Sequence, residues 1–162
     1  MGLFEELVKL AASKGATISA CESLTAGMFC ASVADVPGAS AVLKGGLITY
    51  FTEMKEVLAH VAPEIIKEYG VVSGECALAM ALNTCELTGS DFCVSFTGNA
   101  GPGVLEGKQA GLVYCGLADR EGAEVFKLQL HGTRNEVRSM ACRIMAGHLI
   151  ERLNQYESLF SN

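Results

Sequence analysis

Two kinds of apolar spacing succeed one another along the chain, and their order predicts an α/β fold. From Leu3 to Ala12 the positions Leu3, Phe4, Leu7, Leu10 and Ala11 recur at helical spacing, and Lys14-Gly15 supplies a stop. Thr17 to Cys21 reads as a short, mostly buried strand. Glu22-Ser23-Leu24-Thr25-Ala26-Gly27 then turns into a helical pattern that reaches Ala34, where Pro37-Gly38 follows as a breaker. Gly45-Gly46 precedes an expected strand over Leu47 to Phe51, a cluster of β-branched and aromatic residues, and Thr52-Glu53 opens another helix.

Pro63, at a first helical position, starts a helix ending at Tyr69, and Ser73-Gly74-Glu75-Cys76 begins a long apolar helix that stops at Thr88-Gly89. Strands are expected over Asp91 to Thr97, Leu112 to Ala118 and Val125 to Leu130, with a glycine-rich loop from Gly98 to Gly111 and a turn at Asp119-Arg120-Glu121-Gly122. Thr133-Arg134-Asn135-Glu136 has the form of a capping box, which starts the terminal helix at Thr133. Val137, Met140, Ala141, Ile144, Met145, His148, Leu149 and Leu153 mark one face of that helix, which runs to about Tyr156. No repeat or linker divides the chain. The expectation is one domain over residues 1–162, a layered α/β sandwich with a mixed sheet flanked by helices.

Composition narrows the function classes. Half of the 162 residues are apolar and 19% are charged, which separates the chain from disordered sequences. The net charge of -6, from 18 acidic and 12 basic residues, disfavours direct nucleic-acid binding but leaves room for a local anion pocket. Seven cysteines, an odd number without a C-x-x-C pair and mostly inside apolar runs, read as buried thiols of a reducing cytoplasm. No apolar stretch approaches the roughly 18 residues that cross a bilayer, and Met1 to Glu6 lacks the features of an export signal. A soluble, cytoplasmic protein without membrane partners is expected. His60, His131 and His148 form no H-E-x-x-H or close ligand pair, so no metal and no cofactor is expected.

Four places can carry chemistry. Ser23 and Thr25 lie where a strand gives way to a helix, either as caps or facing a ligand. Lys55 follows Tyr50 by five residues beside Met54, Val57 and Leu58. If buried, its amine would lose charge and take a proton from a serine; if solvated, it is an ordinary helix lysine. Thr97-Gly98-Asn99-Ala100-Gly101-Pro102-Gly103 is either a surface turn or a loop whose N–H groups approach an anion; it matches no nucleoside triphosphate motif. Arg134 and Arg138 share a helix face near a positive dipole end, as a solvated stripe or as a grip on one phosphate. Cys21 is a rival nucleophile, and His60 or His131 a rival base for Ser23.

Glu22-Ser23-Leu24-Thr25-Ala26-Gly27, Gly46-Leu47-Ile48-Thr49-Tyr50 with Lys55, Gly70-Val71-Val72-Ser73, Thr97-Gly98-Asn99-Ala100-Gly101-Pro102 and Gly132-Thr133-Arg134 with Arg138 together resemble the CinA carboxy-terminal domain family over nearly the whole chain. The resemblance implies a nicotinamide-nucleotide amidase that converts nicotinamide mononucleotide and water to nicotinic acid mononucleotide and ammonia, without cofactor. It implies Ser23 as nucleophile, Lys55 as base and Tyr50 as helper. Thr25 and Gly27 match the same turn, while Thr97, Gly98, Ala100 and Gly101, with Arg134 and Arg138, are assigned to the substrate and its phosphate. A homo-oligomer is expected. The other reading is a non-catalytic module that binds a pyridine nucleotide or serves competence or DNA damage. Gly103 to Gly111 departs from the family pattern, being shorter than its usual Gly-Gly and Lys-Pro-Val-Gly segments, and Asn99 replaces an aliphatic residue.

Overall fold

The computed structural model describes residues 1–156. In chain order the elements are α1 (Leu3–Lys14), β1 (Ile18–Glu22), α2 (Met28–Ala34), β2 (Leu43–Ile48), α3 (Thr52–Val57), α4 (Pro63–Tyr69), α5 (Gly74–Thr88), β3 (Phe92–Gly98), β4 (Leu112–Asp119), β5 (Gly122–Gln129) and α6 (Arg134–Gln155). The strands form one sheet in the order β2-β1-β3-β4-β5. β2, β1 and β3 are parallel and β3, β4 and β5 antiparallel, so the sheet is mixed.

Alternation along the central strands builds two cores. Ile18 and Ala20 of β1, Phe92, Val94 and Phe96 of β3, and Val113, Cys115 and Leu117 of β4 pack with α1, α2 and α6. Cys21 packs on the opposite face with Val72, Cys76 and Met80 of the α5 side. β1 is buried at every position, as a parallel strand covered by helices on both faces must be. On the α5 side the approach is close: a Cβ at Gly116 would lie 2.7 Å from the Ala77 carbonyl, and Ser95 Oγ donates to that same carbonyl at 2.6 Å.

Terminal signals explain most helix boundaries. Ser73 Oγ accepts from Cys76 N at 3.1 Å and Thr133 Oγ1 from Glu136 N at 3.3 Å, while Gly15 and Gly89 close α1 and α5 in left-handed conformation. All seven cysteines are free thiols and five of them are buried.

One strand is displaced from its expected place. The expected strand over Leu47 to Phe51 is instead β2, Leu43–Ile48, so Tyr50 and Phe51 lie outside the sheet. Gly45-Gly46, expected to precede the strand, is inside it, because the pairing needs a bare backbone at Gly46. A Cβ on Gly46 would sit 2.8 Å from Cys30 Sγ and 2.9 Å from the Ala20 carbonyl. β5 likewise begins at Gly122, three residues before the expected Val125, since the Asp119↔Gly122 pair closes a two-residue hairpin. Gly46→Ala is therefore expected to destabilise the fold by roughly 1–3 kcal/mol through overpacking, read from the midpoint of urea unfolding.

Candidate active site

The carboxyl ends of β2, β1 and β3 lie side by side, and the chain connections depart in opposite directions on either side of β1. Open α/β sheets form ligand crevices at such a point. Ser23 follows β1 there, with its N–H donating to the Phe96 carbonyl at 3.0 Å. Ala26 and Gly27 are left-handed, with φ of 47° and 99°, which reverses the chain within a few residues and starts α2. The turn is thus held between a sheet and a helix.

Lys55 reaches Ser23 from the next crossover. Thr49 continues the line of β2, with its N–H donating to the Glu22 carbonyl, and α3 begins three residues later. Lys55 sits on the inner side of that short helix, 1% exposed, although its neighbours Val57 and Leu58 face outward. Its Nζ is 3.0 Å from Ser23 Oγ and 2.6 Å from the Thr49 carbonyl oxygen. Burial lowers its pKa below the ordinary lysine range, outweighing the opposite pull of Cys76, Cys21 and Glu106. Ser23, 8% exposed, and Lys55 therefore form a contact pair with a weakened grip on the lysine proton.

The neighbouring thiols are poor competitors. Burial raises the pKa of Cys21, and burial pushes Cys76 up to about 12. Cys21 Sγ lies 3.7 Å from Thr49 Oγ1.

The remaining expected residues fall into two groups. Arg134 and Tyr50 meet: Arg134 Nη2 donates to Tyr50 Oη at 2.8 Å, and its Nη1 donates to the Gly101 carbonyl at 2.7 Å. Tyr50 is half exposed, and among the described residues it makes no hydrogen bond to Ser23 or Lys55. Arg134, Ala100 and Gly101 line a cleft of about 380 Å³ shared with Ala110, Leu130 and His131. Ser23 and Lys55 do not line it.

Arg138, by contrast, faces the serine turn. Its Nε donates to the Leu24 carbonyl at 2.7 Å and its Nη2 to the Thr25 carbonyl at 3.1 Å, while Nη1 donates to Asn135. Thr97 Oγ1 donates to the Val71 carbonyl, and Gly98 is confined by the Leu112 carbonyl, 2.6 Å from where a Cβ would be. Thr25 is fully buried, and its hydroxyl has no partner among the described residues.

Three contributors carried no assigned role in the sequence reading. Glu22, buried, accepts from Phe29 N and Cys30 N at 2.8 and 3.1 Å; an acidic residue ending an otherwise apolar strand was the available signal. Glu106 accepts from Val71 N and Val72 N, and Lys108 donates to the carbonyls of Tyr69 and Val72. These contacts tie the loop after Pro102 to the start of α5, and no periodicity announces them. Among the described residues there is no cluster of three or more metal-ligating side chains and no helix long and apolar enough to cross a membrane.

The chain matches known proteins over nearly its whole length. The CinA C-terminal domain model matches residues 2–153. A protein of Listeria monocytogenes named "Putative competence-damage inducible protein" is 43% identical over 144 residues, which are 88% of this chain and 35% of that one. One of the same name from Halalkalibacterium halodurans is 37% identical over 155 residues, 95% of this chain and 37% of its own. The chain thus spans about a third of the length of these curated relatives. A crystal structure of a CinA superfamily protein from Klebsiella pneumoniae superposes with a TM-score of 0.92 at 25% identity, covering 95% of this chain and 97% of that one. A competence/damage inducible protein from Agrobacterium tumefaciens gives 0.86 at 30% identity, with the same coverage. With the serine turn, the buried lysine and the glycine-rich loop all falling inside the matched span, this chain belongs to the CinA C-terminal domain family.

Proposed function

We propose that the domain is a nicotinamide-nucleotide amidase, hydrolysing the carboxamide of nicotinamide mononucleotide to nicotinic acid mononucleotide and ammonia. The observation that carries this reading is the 3.0 Å contact between Ser23 Oγ and the buried Lys55 Nζ. A serine hydroxyl is a weak nucleophile, and a neutral amine at hydrogen-bond distance is the base it needs. Lys55 in its neutral form takes the hydroxyl proton while Oγ bonds to the carboxamide carbon. The C–N bond then breaks as that proton passes to the leaving nitrogen, which departs as ammonia; water, deprotonated by the same amine, bonds to the acyl carbon, and the Oγ–acyl bond breaks as Lys55 returns the proton to Ser23 Oγ and the acid is released.

The developing oxyanion requires N–H donors. Ser23 N is engaged by Phe96, whereas Leu24 N and Thr25 N have no acceptor among the described residues, which makes them the donors in this scheme. Arg134 is the phosphate ligand we assign, because it lines the 380 Å³ cleft and the start of α6 adds its dipole. Tyr50 then orients Arg134 at the mouth of the site instead of relaying a proton.

Three outcomes test the reading. Purified protein with nicotinamide mononucleotide should release ammonia and the acid, and Ser23→Ala should abolish it; binding without turnover would select the non-catalytic module. Arg134→Ala should lose about 1.5–3 kcal/mol of a charge-assisted contact, seen as a roughly 10- to 150-fold higher KM with kcat little changed. Protonated Lys55 cannot accept a proton and burial lowers its pKa, so kcat/KM should rise with pH below the ordinary lysine range. A flat profile would remove Lys55 as base.

Lys55→Met should eliminate turnover while raising Tm, since it replaces a desolvated amine with a side chain suited to its apolar setting. The sign of the pH effect follows from linkage. The unfolded chain binds the Lys55 proton more tightly than the folded one, so this residue's contribution to stability rises with pH between its folded pKa and the ordinary lysine value. Unfolding curves at several pH values should show that this rise disappears in Lys55→Met.

A further inference from the structure

The turn that carries Ser23 has no side-chain cap of its own. Gly27 stands at the N-cap of α2, where a hydroxyl or carboxyl would ordinarily bind the first free N–H groups. Glu22 supplies the missing acceptors from five residues earlier, through both carboxylate oxygens, to Phe29 N and Cys30 N. It is 1% exposed, and among the described residues it has no cationic partner within salt-bridge distance. One end of the turn is thereby fastened to the other.

Arg138 holds the middle of the same turn from the opposite element, α6, through the carbonyls of Leu24 and Thr25. In a trans peptide the C=O and the following N–H point in opposite directions. Gripping the Leu24 carbonyl therefore sets the direction of Thr25 N–H, one of the two free donors assigned above to the oxyanion. Gripping the Thr25 carbonyl fixes the next peptide, whose Ala26 N–H returns to the Ser23 carbonyl at 3.0 Å. A carboxylate that collects N–H groups and a guanidinium that collects C=O groups thus define the turn between them.

We infer that Glu22 and Arg138 are positioning residues of the Ser23 turn, holding the hydroxyl on Lys55 and aiming the Thr25 N–H, and that Arg138 is not a substrate-phosphate ligand. The inference rests on the amidase reading for its kinetic consequences and on the hydrogen bonds alone for its structural ones. A displacement of order 1 Å between reacting groups costs on the order of 100-fold in rate. Loss of either anchor should appear in kcat, whether or not the substrate carries a phosphate.

The test compares wild type with Glu22→Gln, Arg138→Lys and Arg138→Ala, on nicotinamide mononucleotide and on its dephosphorylated nucleoside. The expected result is a kcat lower by on the order of 100-fold on both substrates, with KM changed by less than about threefold, and partial recovery of Arg138→Ala by added guanidinium ion. A loss confined to KM for the phosphorylated substrate would make Arg138 a phosphate ligand and overturn the inference; unchanged kinetics would also overturn it. The ¹³Cε resonance of Lys55, assigned by its absence in Lys55→Met, gives a readout independent of turnover. In the milder variants Glu22→Gln and Arg138→Lys it should move in the direction set by Ser23→Ala, and an unmoved resonance would refute the clamp. If the wild-type protein is inactive, the amidase reading fails and this resonance alone decides the clamp.

Discussion

The burial of one amine sets the polar arrangement at the carboxyl end of this sheet. Lys55 is among the largest fully buried side chains, yet it lies on a helix of six residues in which Met54 is half-buried and Val57 exposed. An ammonium taken out of water is costly, and the structure answers with two acceptors, the Thr49 carbonyl and the Ser23 hydroxyl, and with a lowered pKa. Both acceptors come from the carboxyl ends of adjacent parallel strands. The sheet order is therefore what makes the buried amine tolerable.

Around this contact the polar groups are arranged in layers of support. Glu22 and Arg138 act on the main chain of the serine turn, and Glu106 and Lys108 act on the main chain at the junction of α4 and α5. In each case a long charged side chain satisfies backbone groups that a turn leaves without partners, which is the condition for burying irregular backbone beside a core. The loop after Pro102 is fastened to the α4–α5 junction by its Glu106 and Lys108, next to the cleft beside Arg134.

How far the sequence reveals the site differs from residue to residue. The capping box at Thr133 and the Ser73 cap were legible because they depend on neighbours within four residues. The contact of Ser23 with Lys55 was approached through a family resemblance, since residues 32 apart carry no mutual signal in local spacing. The second strand is displaced because a glycine pair can lie outside a strand or inside one where backbones approach closely. Only the position of Cys30 and Ala20 decides between them. Arg138 shows the same ambiguity in side-chain form: one helix turn from Arg134, it has the same local chemistry but different partners.

What the linear chain determined by itself is the succession of elements, the α/β class and the nature of the chemistry available, because these follow from periodicity, caps and residue type. The tertiary structure decided which hydroxyl meets which amine, which guanidinium holds the serine turn and which holds Gly101 and Tyr50, and where Gly46 belongs. These are properties of strand order and of the distance between two surfaces, and the same local pattern is compatible with several of them. Burial adds the last element: the amine of a lysine on a short helix loses affinity for its proton only when the fold closes over it and removes its water.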